Sequence, residues 1–188
     1  MSRGLTALTG REILRVLKLW TQTVGAPVVS SFLFILVFGL SLGDRIREID
    51  GFDYEVFIVP GLITMAMVQA AYANNSSSVF QAKFDRYLND ILSAPMRAWE
   101  VNLGLSLGGV VRALLIGIAL LLLSLLVVDV PVRQPGVLLL AVALALVLFS
   151  ALGVVVGIYA ESWDHTAFVN NLLILPLTFL GDGSTSTE

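Results

Sequence analysis

Polar side chains inside otherwise apolar stretches are the first candidates for chemistry in this chain. They gather at the end of one stretch, as Gln69, Tyr72, Asn74, Asn75, Ser76, Ser77 and Ser78. Inside a membrane, such amides and hydroxyls either hydrogen-bond across helices or line a polar path. We therefore predict a transport path that includes Gln69, Tyr72, Asn74 and Asn75. A position at the headgroup level, where polarity costs little, is the alternative.

Charged side chains provide two further candidates. Arg112 is the sole charge of another apolar stretch, and it joins the predicted path, although its stem could instead snorkel to the headgroups. His165, the one histidine, lies beside Glu161 and Asp164, a set that could hold a metal ion or act as a base. A solvated loop is the simpler interpretation of this second group.

Motifs for catalysis are absent from the sequence. It has no G-x-x-x-x-G-K-[ST] phosphate loop, no G-x-S-x-G, no H-E-x-x-H and no cysteine. The apolar stretches contain no Asp or Glu, which argues against proton- or sodium-coupled transport. We therefore predict no catalytic residues, no metal site and no cofactor bound by this chain, and we do not expect an enzyme.

The composition identifies the solvent in which these residues lie. Of 188 residues, 57% are hydrophobic and 13% charged, the net charge is −3, and the mean hydropathy is +0.90. A soluble domain has roughly a quarter of its residues charged. The values exclude a soluble globule, a disordered chain and a nucleic-acid binder that acts through a basic surface.

Long uncharged runs predict an all-α, polytopic membrane helix bundle formed by one domain, 1–181. A helix needs roughly 20 apolar residues to cross the hydrocarbon core, and lipid satisfies no backbone amide. We place five spans at about 24–43, 56–79, 104–128, 135–159 and 166–181. A cleavable signal peptide is the competing interpretation of the first run. The run is too long for the apolar core of such a peptide. Glycines at four-residue spacing, Gly104/Gly108 and Gly153/Gly157, predict close helix packing.

Basic residues predict the orientation. Eight of the 11 lysines and arginines lie in or near segments 1–18 and 83–100, and three lie in the intervening loops. The N-terminus, 83–100 and 161–165 should therefore be cytoplasmic. Two amphipathic helices are predicted at this surface, at about 4–20 and 84–94. Gly25-Ala26-Pro27 should break the first from the span that follows, and Pro95 should end the second.

Several segments together resemble the integral permease subunits of type 2 ATP-binding-cassette (ABC) exporters, close to the small bacterial half-size permeases. They are FIVPGLI (57–63), AYAN (71–74), AKF (82–84), LNDILSAP (88–95), GGVVRALLIG (108–117), LFSALGVVVGIYA (148–160) and PLTFLG (176–181). The resemblance implies that 4–20 is an interface helix and that 84–94 is a coupling helix which docks on a separate cytoplasmic ATPase. The coupling residues it implies are Tyr87, Leu88, Asp90, Ile91, Leu92 and Pro95.

The resemblance also implies the assembly. Two permeases pair with two ATPases that bind ATP and Mg²⁺, in the bacterial inner membrane and in contact with its lipid. A lipid-linked, glycan or hydrophobic substrate would be exported. The family pattern continues after PLTFLG with a sixth span, whereas the polar tail 182–188 follows here, so we expect a C-terminally truncated version of the pattern. Two rival functions are a non-transporting membrane scaffold that recruits a cytoplasmic partner and a membrane enzyme that acts on lipid-linked sugars.

Overall fold

The computed structural model of the chain describes residues 3–43, 48–49, 52–126, 135–174 and 176. Over these residues the chain is mainly helical and contains two short antiparallel strands, β1 (Glu48–Ile49) and β2 (Phe52–Asp53). The predicted all-α helix bundle is confirmed. The predicted tail 182–188 and most of the second half of the last predicted span lie outside the described residues.

The chain begins with two helices that meet at a sharp bend. Helix α1 (Arg3–Lys18) leads through a π-helical turn (Thr21–Gly25) into α2 (Ala26–Gly43). The axes of Arg3–Lys18 and Thr21–Val37 differ by 76°. Pro27 lies in the first turn of α2, where its missing N–H is tolerated. The bend therefore lies where the sequence predicts a break, and the assignment of α2 as the first span stays a prediction.

Helix α3 (Tyr54–Phe84) is central, and it contacts α2, α5 and α6. It begins before Pro60, so this proline lies inside the helix and does not start it. The apolar core around the first half of α3 includes Val59, Ile63 and Met67 of α3, Ile35 of α2, and Ile116 and Leu120 of α5.

Helix α4 (Leu88–Ser93) is shorter than the predicted coupling helix at 84–94. The α3 helix continues to Phe84, and Arg86 has a φ of 64°, which right-handed helices do not accommodate. Ala94 is extended, with a ψ of 146°, as expected for the residue before Pro95. The proline therefore ends α4 at the predicted place.

Three helices follow. Helix α5 (Ala98–Ser124) starts where the Arg97 backbone N–H donates to Glu100 Oε2 at 2.9 Å. Helix α6 (Pro135–Tyr159) and helix α7 (Trp163–Val169) come next, and a second π-helical turn (Asn170–Ile174) ends the described chain apart from residue 176. His165 lies in the first turns of α7 and not in a loop as predicted.

Two helices of the described part are long and apolar enough to cross a membrane, Ala98–Ser124 and Gly136–Tyr159. The bent pair formed by Arg3–Lys18 and Thr21–Val37 would add a third span if it crosses as one unit. This agrees with a polytopic bundle. The number of five spans and their bounds stay predictions.

Glycines permit the closest helix contacts, as their spacing predicts. A Cβ atom added to Gly108 of α5 would lie 2.7 Å from Glu12 Cβ of α1. One added to Gly157 of α6 would lie 2.7 Å from Val79 Cβ of α3. Since real Cβ atoms do not approach so closely, α1 and α6 sit where any larger residue would push them away.

Candidate functional site

A carboxylate is buried in the contact between α1 and the rest of the bundle. The buried side of α1 repeats every turn as Leu5, Leu8, Glu12 and Val16, and Glu12 is 0% exposed. An ion in this position costs free energy unless it is paired and hydrogen-bonded. Glu12 has both kinds of partner. Ser78 Oγ of α3 donates to Oε2 at 2.7 Å, and Arg11 Nη2 donates to Oε1 at 2.6 Å.

Arg15 extends these contacts towards α3 and α6. Its Nη2 lies 3.4 Å from Glu12 Oε2 and donates to Asn74 O at 3.0 Å and to Asn74 Oδ1 at 3.2 Å. Asn74 Nδ2 donates to Asn75 Oδ1 at 3.3 Å, and Asn75 Nδ2 donates to the Ser150 carbonyl at 3.2 Å. We call Glu12, Arg11, Arg15, Asn74, Asn75 and Ser78 the buried polar network. It connects α1, α3 and α6.

The residues of the predicted transport path are not gathered on one open surface. Asn74 and Asn75 belong to the buried polar network, and Tyr72 Oη donates to the Thr166 carbonyl of α7 at 3.2 Å. Gln69 Nε2 is buried and has no hydrogen-bond partner among the described residues. Asn74, Asn75 and Tyr72 thus bond across helices, and a role of these residues in transport stays a prediction.

Arg112 of α5 holds the bend between α1 and α2. Its Nε donates to the Thr23 carbonyl at 2.7 Å. In an α-helix that carbonyl would accept from the residue four positions later, which is Pro27 and has no N–H. The guanidinium is therefore bound to protein backbone, whereas the snorkelling alternative places it among lipid headgroups.

The inner side of α4 packs on the bundle next to the buried polar network. Ile91 is 9% exposed and belongs to a core cluster with Leu8 of α1, Val79 of α3, Leu105 of α5 and Val154 of α6. Leu88 and Tyr87 pack against the same cluster. Arg11 also lies over the Tyr87 ring, 4.9 Å from its centroid. Side chains on and next to α4 thus join a cluster to which α1, α3, α5 and α6 contribute.

The outer side of α4 is exposed. Leu92 is 62% exposed, and Asp90 and Pro95 are exposed beside it. The six residues implied by the resemblance therefore divide into two sets. Tyr87, Leu88 and Ile91 contact the bundle, whereas Asp90, Leu92 and Pro95 are free to contact a partner.

The segments predicted to be cytoplasmic meet at one end of the bundle. Arg11 of α1 stacks on Tyr87, and Lys83 Nζ donates to the Ile158 and Ala160 carbonyls at the end of α6, at 3.1 and 3.0 Å. Phe80 packs edge-on against Trp163 of α7, with ring centroids 4.6 Å apart. Segments 1–18, 83–100 and 161–165 are thus on the same side, whichever compartment that side faces.

His165 does not form part of a metal site in the described part of the chain. No group of three or more His, Asp or Glu side chains there could hold an ion. The His165 backbone N–H donates to Ser162 Oγ at 3.2 Å, and Nδ1 accepts from the Glu161 N–H at 3.4 Å. These are contacts that begin a helix.

Comparison with known proteins decides the family. Residues 3–183 match the model of the ABC-2 type transporter membrane domain. The chain belongs to the ABC-2 type transporter family. Members of this family are membrane permeases, and membership implies an ABC ATPase as partner. The short helix α4 and the buried polar network are therefore features of a permease.

Relatives of known name are transport proteins. The inner membrane transport permease YadH of Escherichia coli (strain K12) is 38% identical over 178 residues, 95% of this chain and 70% of that protein. YadH of Shigella flexneri matches equally. Nodulation protein J of Sinorhizobium fredii (strain NBRC 101917 / NGR234) is 29% identical over 157 residues, 82% of this chain and 58% of that protein. No solved structure matches this ABC-2 permease. These similarities, together with the apolar helices of the chain, indicate an integral inner-membrane protein.

The sequence pattern missed Glu12, the centre of the site. The signal was present, because Leu8, Glu12 and Val16 are four residues apart and share one face of α1. Analysis of the apolar positions alone passes over a carboxylate among them. Its partner Ser78 lies 66 residues away in sequence.

Proposed function

We propose that this permease is the membrane subunit of an ATP-driven exporter and that a separate ATPase docks on the outer side of α4. The exposed residues Asp90, Leu92 and Pro95 support the assignment of a docking surface. An apolar side chain beside a carboxylate and a proline can be buried by a partner. A charged, solvated loop would not need Ile91 buried in a core cluster behind it.

Motion of α4 would reach the bundle through packed side chains. Ile91 and Leu88 contact a cluster that includes residues of α1, α3, α5 and α6. Protein interiors are close-packed, so a displaced Ile91 must move its neighbours or lose contact with them. In this proposal the helices have two arrangements, and ATP binding to the partner favours one of them. The ATP site and the permease helices are thus coupled through one equilibrium.

The proposal includes an orientation, an assembly and a substrate class. The N-terminus and α4 face the cytoplasm, two permeases pair, and each pair binds two ATPases. The cargo is a lipid-linked, glycan or otherwise hydrophobic molecule that leaves the cytoplasmic leaflet. The observation that carries the proposal is the family match over 3–183. The exposed outer side of α4 offers a surface for the partner.

A double substitution on the outer side of α4 tests the docking. Asp90→Arg with Leu92→Glu should abolish co-purification of the cognate ATPase, since it reverses a charge and places a carboxylate in an apolar contact. Both side chains are exposed, so the unfolding midpoint of the permease in detergent should not change. Asp164→Arg is the matched control, because Asp164 is an exposed acid in the first turn of α7 at the same end.

Retention of the ATPase by the folded double variant would overturn the docking role. Loss in the Asp164→Arg variant alone would place the docking surface on α7. Loss only in the double variant, together with loss of permease-stimulated ATP hydrolysis, would support the exporter over a non-transporting scaffold.

Cysteine labelling tests the orientation. The chain has no cysteine, so a single introduced thiol gives a clean signal. Ser93→Cys, at the end of α4, should resist a membrane-impermeant thiol reagent in intact cells and react after permeabilisation. Ile49→Cys, in β1, should react in intact cells. The reverse pattern would place α4 outside and contradict the orientation.

A further inference from the structure

A cleft opens between α1 and the end of α3, beside the buried polar network. Its volume is about 620 Å³. The polar residues that line it are Arg11, Arg15, Lys18, Gln81, Asp85 and Tyr87. The sequence predicts an amphipathic helix at the surface with its basic side toward lipid phosphates, and the structure places three of these cations around this cleft.

The cleft has spare hydrogen-bond donors. Each guanidinium offers five N–H groups, shared among Nε, Nη1 and Nη2. The hydrogen bonds that Arg11 and Arg15 make to Glu12 and Asn74 all use Nη2. The Nε and Nη1 groups of both arginines therefore have no such partner in the described part of the chain. An arginine fork with free N–H groups is suited to bind phosphate oxygens.

The charge of the cleft is positive overall. Three cations line it against one lining carboxylate, Asp85, and the carboxylate of Glu12 lies buried behind. Lys18 is exposed and makes no hydrogen bond or ion pair with any described residue. This charge distribution favours an anionic ligand. If a ligand also carried an ammonium group, that group would pair with Asp85.

Apolar side chains adjoin the cations. Leu14 and Leu19 line the cleft with them, Leu17 is exposed on α1, and Trp20 is exposed two residues beyond its end. Trp20 is 62% exposed at the end of α1, where an interfacial anchor is expected. A soluble anion would leave these apolar side chains exposed, whereas the glycerol and acyl chains of a lipid would cover them.

We propose that this cleft binds the phosphate of an anionic glycerophospholipid, such as phosphatidylglycerol, from the leaflet in which α1 lies. The phosphate sits between Arg11, Arg15 and Lys18, and the acyl chains run along Leu14 and Leu19. Because Arg11 and Arg15 also pair with Glu12, the bound lipid contacts the two cations of the buried polar network. The inference rests on membrane insertion and not on the docking of an ATPase.

Native mass spectrometry of the purified full chain, titrated with phosphatidylglycerol or phosphatidylcholine, tests the site. Phosphatidylglycerol should bind more tightly. Lys18→Gln should weaken its binding about fivefold, as expected for one cation near a lipid surface. Asp85→Asn should strengthen it by removing a repulsive charge. Arg3→Gln is the matched control, since it removes one exposed cation from the same helix outside the cleft.

Four outcomes would overturn the proposal. They are equal binding of the two lipids, equal losses in Lys18→Gln and Arg3→Gln, displacement of the lipid by millimolar inorganic phosphate, and weaker binding in Asp85→Asn. The third would indicate a soluble phosphate ligand, and the fourth a headgroup with an ammonium group. Unchanged unfolding midpoints for Lys18→Gln and Asp85→Asn would show that the comparison concerns binding and not folding.

Discussion

The two ends of the described bundle are held together differently. Around the first half of α3 the contacts are apolar, with Ile63 and Met67 packed against Ile116 and Leu120 of α5. Around the second half of α3, hydrogen bonds and ion pairs centred on Glu12 are added to an apolar cluster that includes Val79. Apolar packing in lipid depends on shape alone, because the surrounding acyl chains are as apolar as leucine. Polar groups instead specify which residues must meet.

The difference predicts how each end responds to change. An apolar contact weakens gradually as atoms are removed. The buried polar network behaves as a unit, since removal of one member leaves the others buried without partners. At the end that carries α4, hydrogen-bond geometry therefore specifies which residues meet.

Glu12→Ala should have the largest effect. It removes the carboxylate that accepts from Ser78 and from Arg11, and each hydrogen bond to a charged group is worth about 1.5–3 kcal/mol. Equilibrium unfolding in mixed micelles measures the loss. Glu12→Gln, which still accepts from Ser78 Oγ, should lose less. Equal losses in the two variants would show that the negative charge carries the effect, because Gln keeps both the volume of the side chain and the bond from Ser78.

Gly108→Ala should have the next largest effect. The added methyl group meets Glu12 Cβ and must push α1 away, and overpacking costs about 1–3 kcal/mol. Gly10→Ala is the matched control, because a Cβ there meets nothing within 4 Å. Alanine favours helix over glycine by about 1 kcal/mol, so the control should be more stable than the parent. If Gly108→Ala were also more stable, α1 would not be in close contact with α5.

Ile116→Val should have the smallest effect. It removes one methylene group from the apolar end, where Ile116 is fully buried, and such a change costs about 0.5–1.5 kcal/mol. The same unfolding assay measures it, and ATPase binding should be unaffected. A loss as large as that of Glu12→Ala would remove the contrast between the two ends.

The fold was accessible from the sequence because its signals are local. Uncharged runs, the Gly25-Ala26-Pro27 break and the Pro95 stop each act within a few residues. The coupling helix was predicted too long, because the pattern of apolar side chains continues through Arg86, whose positive φ no pattern of side-chain types indicates.

The candidate site was accessible only in part. Asn74 and Asn75 were predicted as polar groups at membrane depth, and the structure finds them buried and hydrogen-bonded. Their partners on α1 could not be predicted, because the sequence does not say which helices meet. The same holds for Arg112, whose contact with the Thr23 carbonyl depends on how α5 lies against the bend.

That last contact ties the elbow between α1 and α2 to the axial position of α5. Pro27 withholds the N–H that would normally satisfy the Thr23 carbonyl, and a donor from another helix supplies it. A slide of α5 by one helical turn, about 5.4 Å, would carry the Arg112 Nε out of reach. The bend between α1 and α2 could then straighten, so the angle between these two helices is set by a residue of α5.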